Sequence, residues 1–109
     1  MEIESIVDKI AKKHEALSNP IRIHLLSIVT ALGEASWGRI KAVFESVHGG
    51  INPNTLAFHM KKLIECDLLI KYGSVESPIY KANIPKELRE EIKVIVEFYR
   101  KFVGGNDEC

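Results

Sequence analysis

The most constraining feature of this sequence is a helix with almost no polar side. It starts where Ser18 or Asn19 can cap the first turn and Pro20 takes the first position, where a missing N–H costs nothing. Apolar side chains then fall all around the helix, which Gly33 ends: Ile21, Ile23, Leu25, Leu26, Ile28, Val29 and Leu32. Such a helix is stable only when other elements cover nearly all of it. We therefore predict that it forms the centre of the core.

Four further helices are indicated by apolar residues at helical spacing. One covers residues 3–17, one begins after the cap Ser36, and the last covers residues 85–103. The helix before the last has Asn52 as its cap and Pro53 at its first position. Its apolar residues recur on one side and should face the core: Leu56, Met60, Leu63 and Ile64.

The segment LLIKYGSVESPIYKANI has the pattern of a short antiparallel hairpin. Two apolar, β-branched runs flank a flexible tip from Gly73 to Pro78. Because Pro78 lacks a pairing N–H, we expect its strand at the edge of the sheet. Residues 104–109, GGNDEC, are predicted to be a disordered tail.

The length of the chain fits one domain, residues 1–109, with a single core. The longest apolar runs span only a few residues, so no membrane partner is expected. The N-terminus MEIESIVDKI lacks the basic head and long apolar run of a secretory signal, and we expect a cytoplasmic protein. The two cysteines, Cys66 and Cys109, agree with that compartment.

The order of these elements is that of a helix-turn-helix followed by a wing. A helix, a tight turn containing glycine, and a second helix with a short polar start form the first part, and the hairpin forms the second. The segments ALSNPIRIHLLSIV and INPNTLAFHMKKLIECDLLI, with the hairpin after them, resemble the ArsR-type winged helix-turn-helix regulators in an archaeal-looking version. The resemblance covers residues 16–82. It implies a mainly α fold with a small β-hairpin, double-stranded DNA as partner, and N- and C-terminal flanking helices that form a dimer.

The outer side of the helix after Asn52 carries groups suited to a DNA groove. Asn and Thr near its start are short, Asn can bond adenine twice, and lysines reach phosphate or guanine. The residues predicted to contact DNA are Asn52, Asn54, Thr55, Ala57, Phe58, His59, Lys61 and Lys62. Phe58 has the alternative of packing under the hairpin or against the preceding helix, and His59 that of a half-buried hydrogen-bonding residue. The competing interpretation of the whole face is a solvated surface.

In the resembled family the hairpin is a wing that contacts phosphates or the minor groove. The same role is implied here for Lys71, Tyr72, Ser74, Ser77 and Lys81. Glu76 at the tip opposes such contact, so a solvated hairpin is the alternative. The net charge is zero, and residues 36–83 hold only six Lys and Arg against four acidic residues. Any DNA affinity should therefore be modest and sensitive to salt.

The last helix has more apolar surface than one core needs. One heptad-like stripe begins at Leu88, while Val94 and Phe98 lie on another side. One face would close the chain's own core, and the other would meet a second subunit across a twofold axis. Such a dimer would hold its two recognition helices ~34 Å apart and favour a partly palindromic DNA site. The alternative is a helix absorbed in its own domain. The predicted interface consists of Ile3, Ile6, Ile10, Leu88, Ile92, Ile95, Tyr99 and Phe102.

Many members of the resembled family sense metals through a cysteine pair near the start of the third helix or through Asp and His on the last helix. This chain has no cysteine in ASWGRIKAV and no histidine in the last helix. The histidines match no common zinc spacing: His14, His24, His48 and His59. We expect no metal and no cofactor, with Cys66 as a packing residue. The sequence leaves open whether a small-molecule effector is sensed.

These patterns favour a sequence-specific DNA-binding transcriptional regulator. The alternative is a winged-helix module that docks another protein through the same face, and the zero net charge supports it. An enzyme is disfavoured, because the sequence shows no glycine-rich phosphate loop, no paired carboxylates and no nucleophile with a readable base partner.

Overall fold

The computed structural model describes residues 2–107, with side chains for residues 2–104. The elements are α1 (Glu2–Leu17), α2 (Pro20–Leu32), β1 (Glu34–Ser36), α3 (Trp37–His48), α4 (Pro53–Glu65), β2 (Leu69–Gly73), β3 (Pro78–Ala82), α5 (Lys86–Glu91) and α6 (Lys93–Asp107). Within residues 2–107, none of the helices is both long enough and apolar enough to cross a bilayer. Cys109 lies outside the described residues.

Helix α2 is the centre of the core, as its sequence predicts. It packs against α1, α3, α4, α6 and two strands, and residues 25–29 are all buried. Asn19 caps it by accepting a hydrogen bond from the Ile21 N–H at 2.8 Å. The buried hydroxyl of Ser27 in α2 donates to the Ile23 carbonyl at 2.8 Å, so this side chain leaves no polar group unpaired in the core.

The sheet has three strands in the order β1-β3-β2, all antiparallel. Strand β1 was not predicted, because three residues with only Ala35 buried are too short to show an alternating pattern. The expectation that Pro78 lies on an edge strand is wrong, since β3 is the central strand. Pro78 is tolerated there because β1 pairs only with residues 79–81, which leaves the proline beyond that ladder. Gly73, at the end of β2, has φ +94°, a backbone angle that glycine adopts readily. A Cβ at this position would lie only 3.1 Å from the Ser77 carbonyl oxygen.

The predicted helix over residues 85–103 is two helices. Pro85 precedes α5, and Ile92 ends it with φ −92° and ψ 4° before α6 begins. Both helices supply buried side chains to the same core: Leu88, Ile92, Val96 and Tyr99. Helix α6 continues to Asp107, so the disordered tail predicted from residue 104 is wrong for residues 104–107. Glycine disfavours a helix by about 1 kcal/mol and does not forbid one.

Candidate nucleic-acid interface

The two sides of α4 differ as the sequence predicts. Asn52 accepts a hydrogen bond from the Asn54 N–H at 2.8 Å and caps the helix, and Pro53 occupies its first turn. Leu56, Met60 and Leu63 are buried and fix this helix to the core. The opposite side is open: Asn52, Asn54, Thr55, Ala57, Phe58 and Lys61 are exposed, and Lys62 is half-buried. All of these are accessible to a groove, and their contact with DNA stays a prediction.

His59 is the exception among the predicted DNA contacts. Its side chain is only 6% exposed, and its Nδ1 accepts a hydrogen bond from Arg22 Nε at 3.0 Å. Burial, and then the Arg22 charge, lower the pKa of His59, which keeps the imidazole neutral. The assignment of His59 as a DNA contact is therefore wrong, and its alternative as a hydrogen-bonding residue is right. The position follows Leu56 by three residues, which brings it onto the inward side of the helix.

Phe58 lies at the border of α4 that faces α2. Its side chain is 51% exposed. The Arg22 guanidinium lies 6.0 Å and the Lys62 ammonium 5.5 Å from its ring centroid, and the His59 ring meets it edge-on at 5.5 Å. These neighbours hold the ring by cation–π attraction and leave its outer half free.

An open cleft of about 800 Å³ separates α4 from the wing. It brings together Lys61 of α4 and Lys71 of β2, with Glu76 and Ser77 from the wing tip. The tip itself is closed by Ser74, whose Oγ accepts from the Ser77 N–H at 2.9 Å. The basic groups of the helix and of the wing thus share one face.

Two of the other predicted wing residues, Tyr72 and Lys81, do not join that face. Lys71 is paired with Tyr80, whereas Tyr72 and Lys81 belong to the alternate positions of their strands, which point to the opposite side of the sheet. Lys81 lines a separate cleft with Arg89 and Lys93. Strand alternation therefore separates Tyr72 and Lys81 from Lys71, while Ser74 and Ser77 lie in the turn between the strands.

The predicted dimer residues also divide. Leu88, Ile92 and Tyr99 are buried in the chain's own core, so their assignment to a dimer interface is wrong. The stripe they form packs inside the monomer, where α6 lies against α2. Ile95 and Phe102 are half-buried, and Ile3, Ile6 and Ile10 are exposed along α1. The exposed apolar side of α6 is the one with Val94, 81% exposed, and Phe98, 50% exposed.

A polar cluster that the sequence analysis missed links α6 to the helix-turn-helix. The hydroxyl of fully buried Tyr99 lies 2.7 Å from His48 Nε2 and 2.9 Å from His24 Nδ1. Burial raises the pKa of Tyr99 to about 12, and burial followed by the nearby His48 lowers the pKa of His24. A neutral phenol can donate to one imidazole and accept from the other. The signal for this cluster was a tyrosine on an apolar stripe, whose hydroxyl needs a partner when buried.

Within the part of the chain that the structure describes, no group of three His, Cys, Asp or Glu side chains is arranged to hold a metal ion. Cys66 is half-buried, and its thiol donates to the Lys12 carbonyl at 3.3 Å. Burial raises the pKa of Cys66, which favours the protonated thiol over a metal-binding thiolate.

No family model and no curated protein matches the sequence. Solved structures match it in fold. Reduced HlyU from Vibrio cholerae aligns with a TM-score of 0.64 at 19% identity, over 90% of this chain and 96% of that one. The homodimeric winged helix-turn-helix DNA-binding domain of Mb0332 from Mycobacterium bovis, a possible ArsR-family transcriptional regulator, aligns with a TM-score of 0.66 at 19% identity, over 91% and 88%. The transcriptional repressor BigR from Xylella fastidiosa aligns with a TM-score of 0.60 at 23% identity, over 86% and 89%.

These likenesses confirm the predicted fold class, a mainly helical winged helix-turn-helix with a small antiparallel sheet. The resemblance to ArsR-type regulators that the sequence suggested holds at the level of the fold.

Proposed function

We propose that this protein is a transcriptional regulator that binds specific double-stranded DNA as a homodimer, and that it is not an enzyme. The observation that supports this most directly is the division of α4. Its inward stripe is buried, while short polar side chains at its start and lysines further along stay exposed beside the wing. In a helix-turn-helix this second helix is the element that enters the major groove.

The exposed side of α4 offers two kinds of contact. Asn54 and Thr55 lie in the first turn, where side chains meet base edges, and Ala57 lets the backbone approach closely. Lys61 and Lys71 line the cleft between α4 and the wing. We expect them, together with Lys62, to contact phosphates on either side of the groove. Glu76 lies in the same cleft and partly offsets their charge. The modest basic excess predicts binding that weakens steeply as salt rises.

The dimer in this proposal is built from the apolar surfaces that the monomer leaves open. Ile3, Ile6, Val7 and Ile10 form a stripe along α1, and Val94 and Phe98 form another along α6. Exposed apolar groups spaced along one helix face are typical of a protein interface. The Mycobacterium bovis domain of the same fold is described as homodimeric. Two recognition helices related by a twofold axis would read a partly palindromic site, one DNA turn or ~34 Å apart.

The test is a selection of bound duplexes from random DNA, followed by anisotropy titrations with the selected and a scrambled duplex. We expect a partly palindromic consensus and at least a 10³-fold preference for it, the lower end of specific recognition. Lys61→Glu with Lys62→Glu should abolish binding. Lys86→Glu with Lys93→Glu, an equal charge change at exposed positions of α5 and α6, should have little effect. No enrichment at low salt would refute the proposal.

The second candidate is a module that docks a protein through the same face. The zero net charge of the chain and the half-exposed ring of Phe58 favour it. The same selection separates the two functions, because a protein-docking module would enrich no DNA sequence.

A further inference from the structure

One arginine connects three helices beside the proposed DNA face. Arg22, in the first turn of α2, donates from Nε to His59 Nδ1 of α4 at 3.0 Å. Its Nη1 donates to the carbonyls of Glu15 at 3.2 Å and Ala16 at 3.4 Å. Those carbonyls belong to the last turn of α1, where backbone acceptors have no partner within the helix. A single guanidinium thus joins the end of α1 to the recognition helix.

We infer that Arg22 is a positioning residue for the DNA-binding site: acting through His59, it fixes the orientation of α4 relative to α1. The inference rests on the proposed function, since it concerns how the recognition helix is presented. It goes further because Arg22 is not itself required to touch DNA. Through the Arg22–His59 link, helix α1, which carries one of the exposed apolar stripes, sets the direction of helix α4, which would enter the DNA groove.

The chemistry requires arginine and not merely a positive charge. The planar guanidinium presents Nε–H and Nη1–H in fixed directions, one toward α4 and one toward α1. Lysine is a point charge on a flexible stem, so it cannot hold both directions together. The same guanidinium also approaches the Phe58 ring at 6.0 Å, which ties the border of the recognition helix to α2.

The hydrogen bond between Arg22 and His59 also depends on the protonation state of His59. Nδ1 accepts from Arg22 only while it carries no proton, so the neutral ring must hold its proton on Nε2. Protonation at Nδ1 would remove the acceptor and set two cations side by side. Arg22 lines a cleft with charged or titratable side chains from α1 and from α4 with its cap: Lys12, Glu15, Lys62, Glu65 and Cys66. The two lysines and the two glutamates in this cleft balance in charge. The Arg22 guanidinium is therefore the charge that disfavours a protonated, positively charged His59.

The test uses Arg22→Lys in the full chain, which keeps the charge but not the geometry. We expect affinity for the selected duplex to fall about tenfold, while affinity for scrambled DNA and the dimer dissociation constant stay within about twofold. A core variant with the same loss of Tm, Ile28→Val, serves as the stability control. Equal losses of selectivity in the two variants would overturn the inference, and so would unchanged selectivity in Arg22→Lys.

A pH series adds a readout that a purely structural arginine would not change. His59→Asn keeps an acceptor oxygen near the position of Nδ1 but does not titrate. The wild type should lose selectivity as the pH falls below 6.5, because the pKa of His59 is lowered from that ordinary histidine value, whereas His59→Asn should show a flat profile. Parallel profiles in the two proteins would contradict the role given to His59.

Hydrogen exchange without DNA separates this inference from the proposed function. Arg22→Lys should speed amide exchange in the first turns of α4 and the last turn of α1, at least threefold relative to α3. If the wild type prefers no DNA sequence, the proposed function fails, and unchanged exchange in Arg22→Lys refutes the positioning link on its own.

Discussion

Replacing Lys61 by alanine should lower the salt dependence of DNA binding by a calculable amount. Three lysines lie on or beside the face between α4 and the wing: Lys61, Lys62 and Lys71. A twofold dimer would then make about six phosphate contacts, and each contributes about 0.9 to the slope of log K against log salt. The expected slope for the wild type is about −5.4. Lys61→Ala removes two contacts per dimer and should bring the slope to about −3.6.

The measurement is an anisotropy titration of the selected duplex at several salt concentrations. Between about 50 and 200 mM salt, the wild type should lose about 10³-fold in affinity and Lys61→Ala only about 150-fold. Lys62→Ala should change the slope less than Lys61→Ala, because Lys62 is half-buried and its ammonium already lies 5.5 Å from the Phe58 ring. Lys86→Ala on α5 is the control and should leave the slope unchanged.

Two results would refute this reasoning. One is a slope for Lys61→Ala equal to that of the wild type, which would mean that Lys61 neutralises no phosphate. The other is an equal change in Lys61→Ala and Lys86→Ala, which would mean that the whole protein charge, and not the face of α4, sets the slope.

Three further outcomes are expected. Phe98→Glu should raise the dimer dissociation constant at least tenfold by light scattering, because it places a charge on the exposed side of α6, while Val75→Glu at the wing tip should not. Tyr99→Phe should lower the free energy of unfolding by about 1–3 kcal/mol in a denaturant titration, since it removes the partner of two ring nitrogens. The free energy of unfolding should fall as the pH drops below 6.5, the ordinary pKa of histidine. The pKa values of His24 and His59 are both lowered in the folded protein, so the unfolded chain binds protons first. Melting curves recorded at several pH values measure this fall, and His14→Gln should leave it unchanged.

The parts of the fold that the sequence predicts correctly depend on local signals. Helix α4 is an example: Asn52 and Pro53 define its start within two residues, and Leu56, Met60 and Leu63 define its inward side at helical spacing. Such signals involve neighbours along the chain, so one sequence suffices to read them. The wing hairpin was also recognised locally, from the change of period around Gly73.

The wrong predictions arose where one local sequence pattern fits two different packing arrangements. Helix α6 has two apolar sides, and periodicity does not say which one the chain itself covers. The stripe through Leu88, Ile92 and Tyr99 was assigned to a partner, although all three side chains are buried within the monomer, where α6 packs against α2. The exposed pair Val94 and Phe98 was recognised as a separate side but not as the free one.

The hydrogen bonds of Arg22 with His59 and of Tyr99 with two histidines could not be predicted from the sequence, for a different reason. Arg22 and His59 are 37 residues apart, and Tyr99 lies 75 residues from His24. Side chains that meet only after folding leave no spacing rule in a single sequence. Their residue types were visible, and burial of a polar tip on an apolar stripe was the only hint that partners must exist.

Both links have the same place in the architecture. The Arg22–His59 bond joins α1 to the recognition helix, and the Tyr99 hydroxyl joins α6 to α2 and to the end of α3, immediately before the turn that leads into α4. Helices α1 and α6 each leave more than one large apolar side chain exposed. A partner that covers those side chains would therefore act on helices already tied by directional hydrogen bonds to the helix-turn-helix. Only the Arg22–His59 link needs an unprotonated ring nitrogen, because the Tyr99 hydroxyl can also accept a hydrogen bond from a protonated imidazole. Protonation of His59 would therefore release the recognition helix from α1, and selective binding should be lost with it.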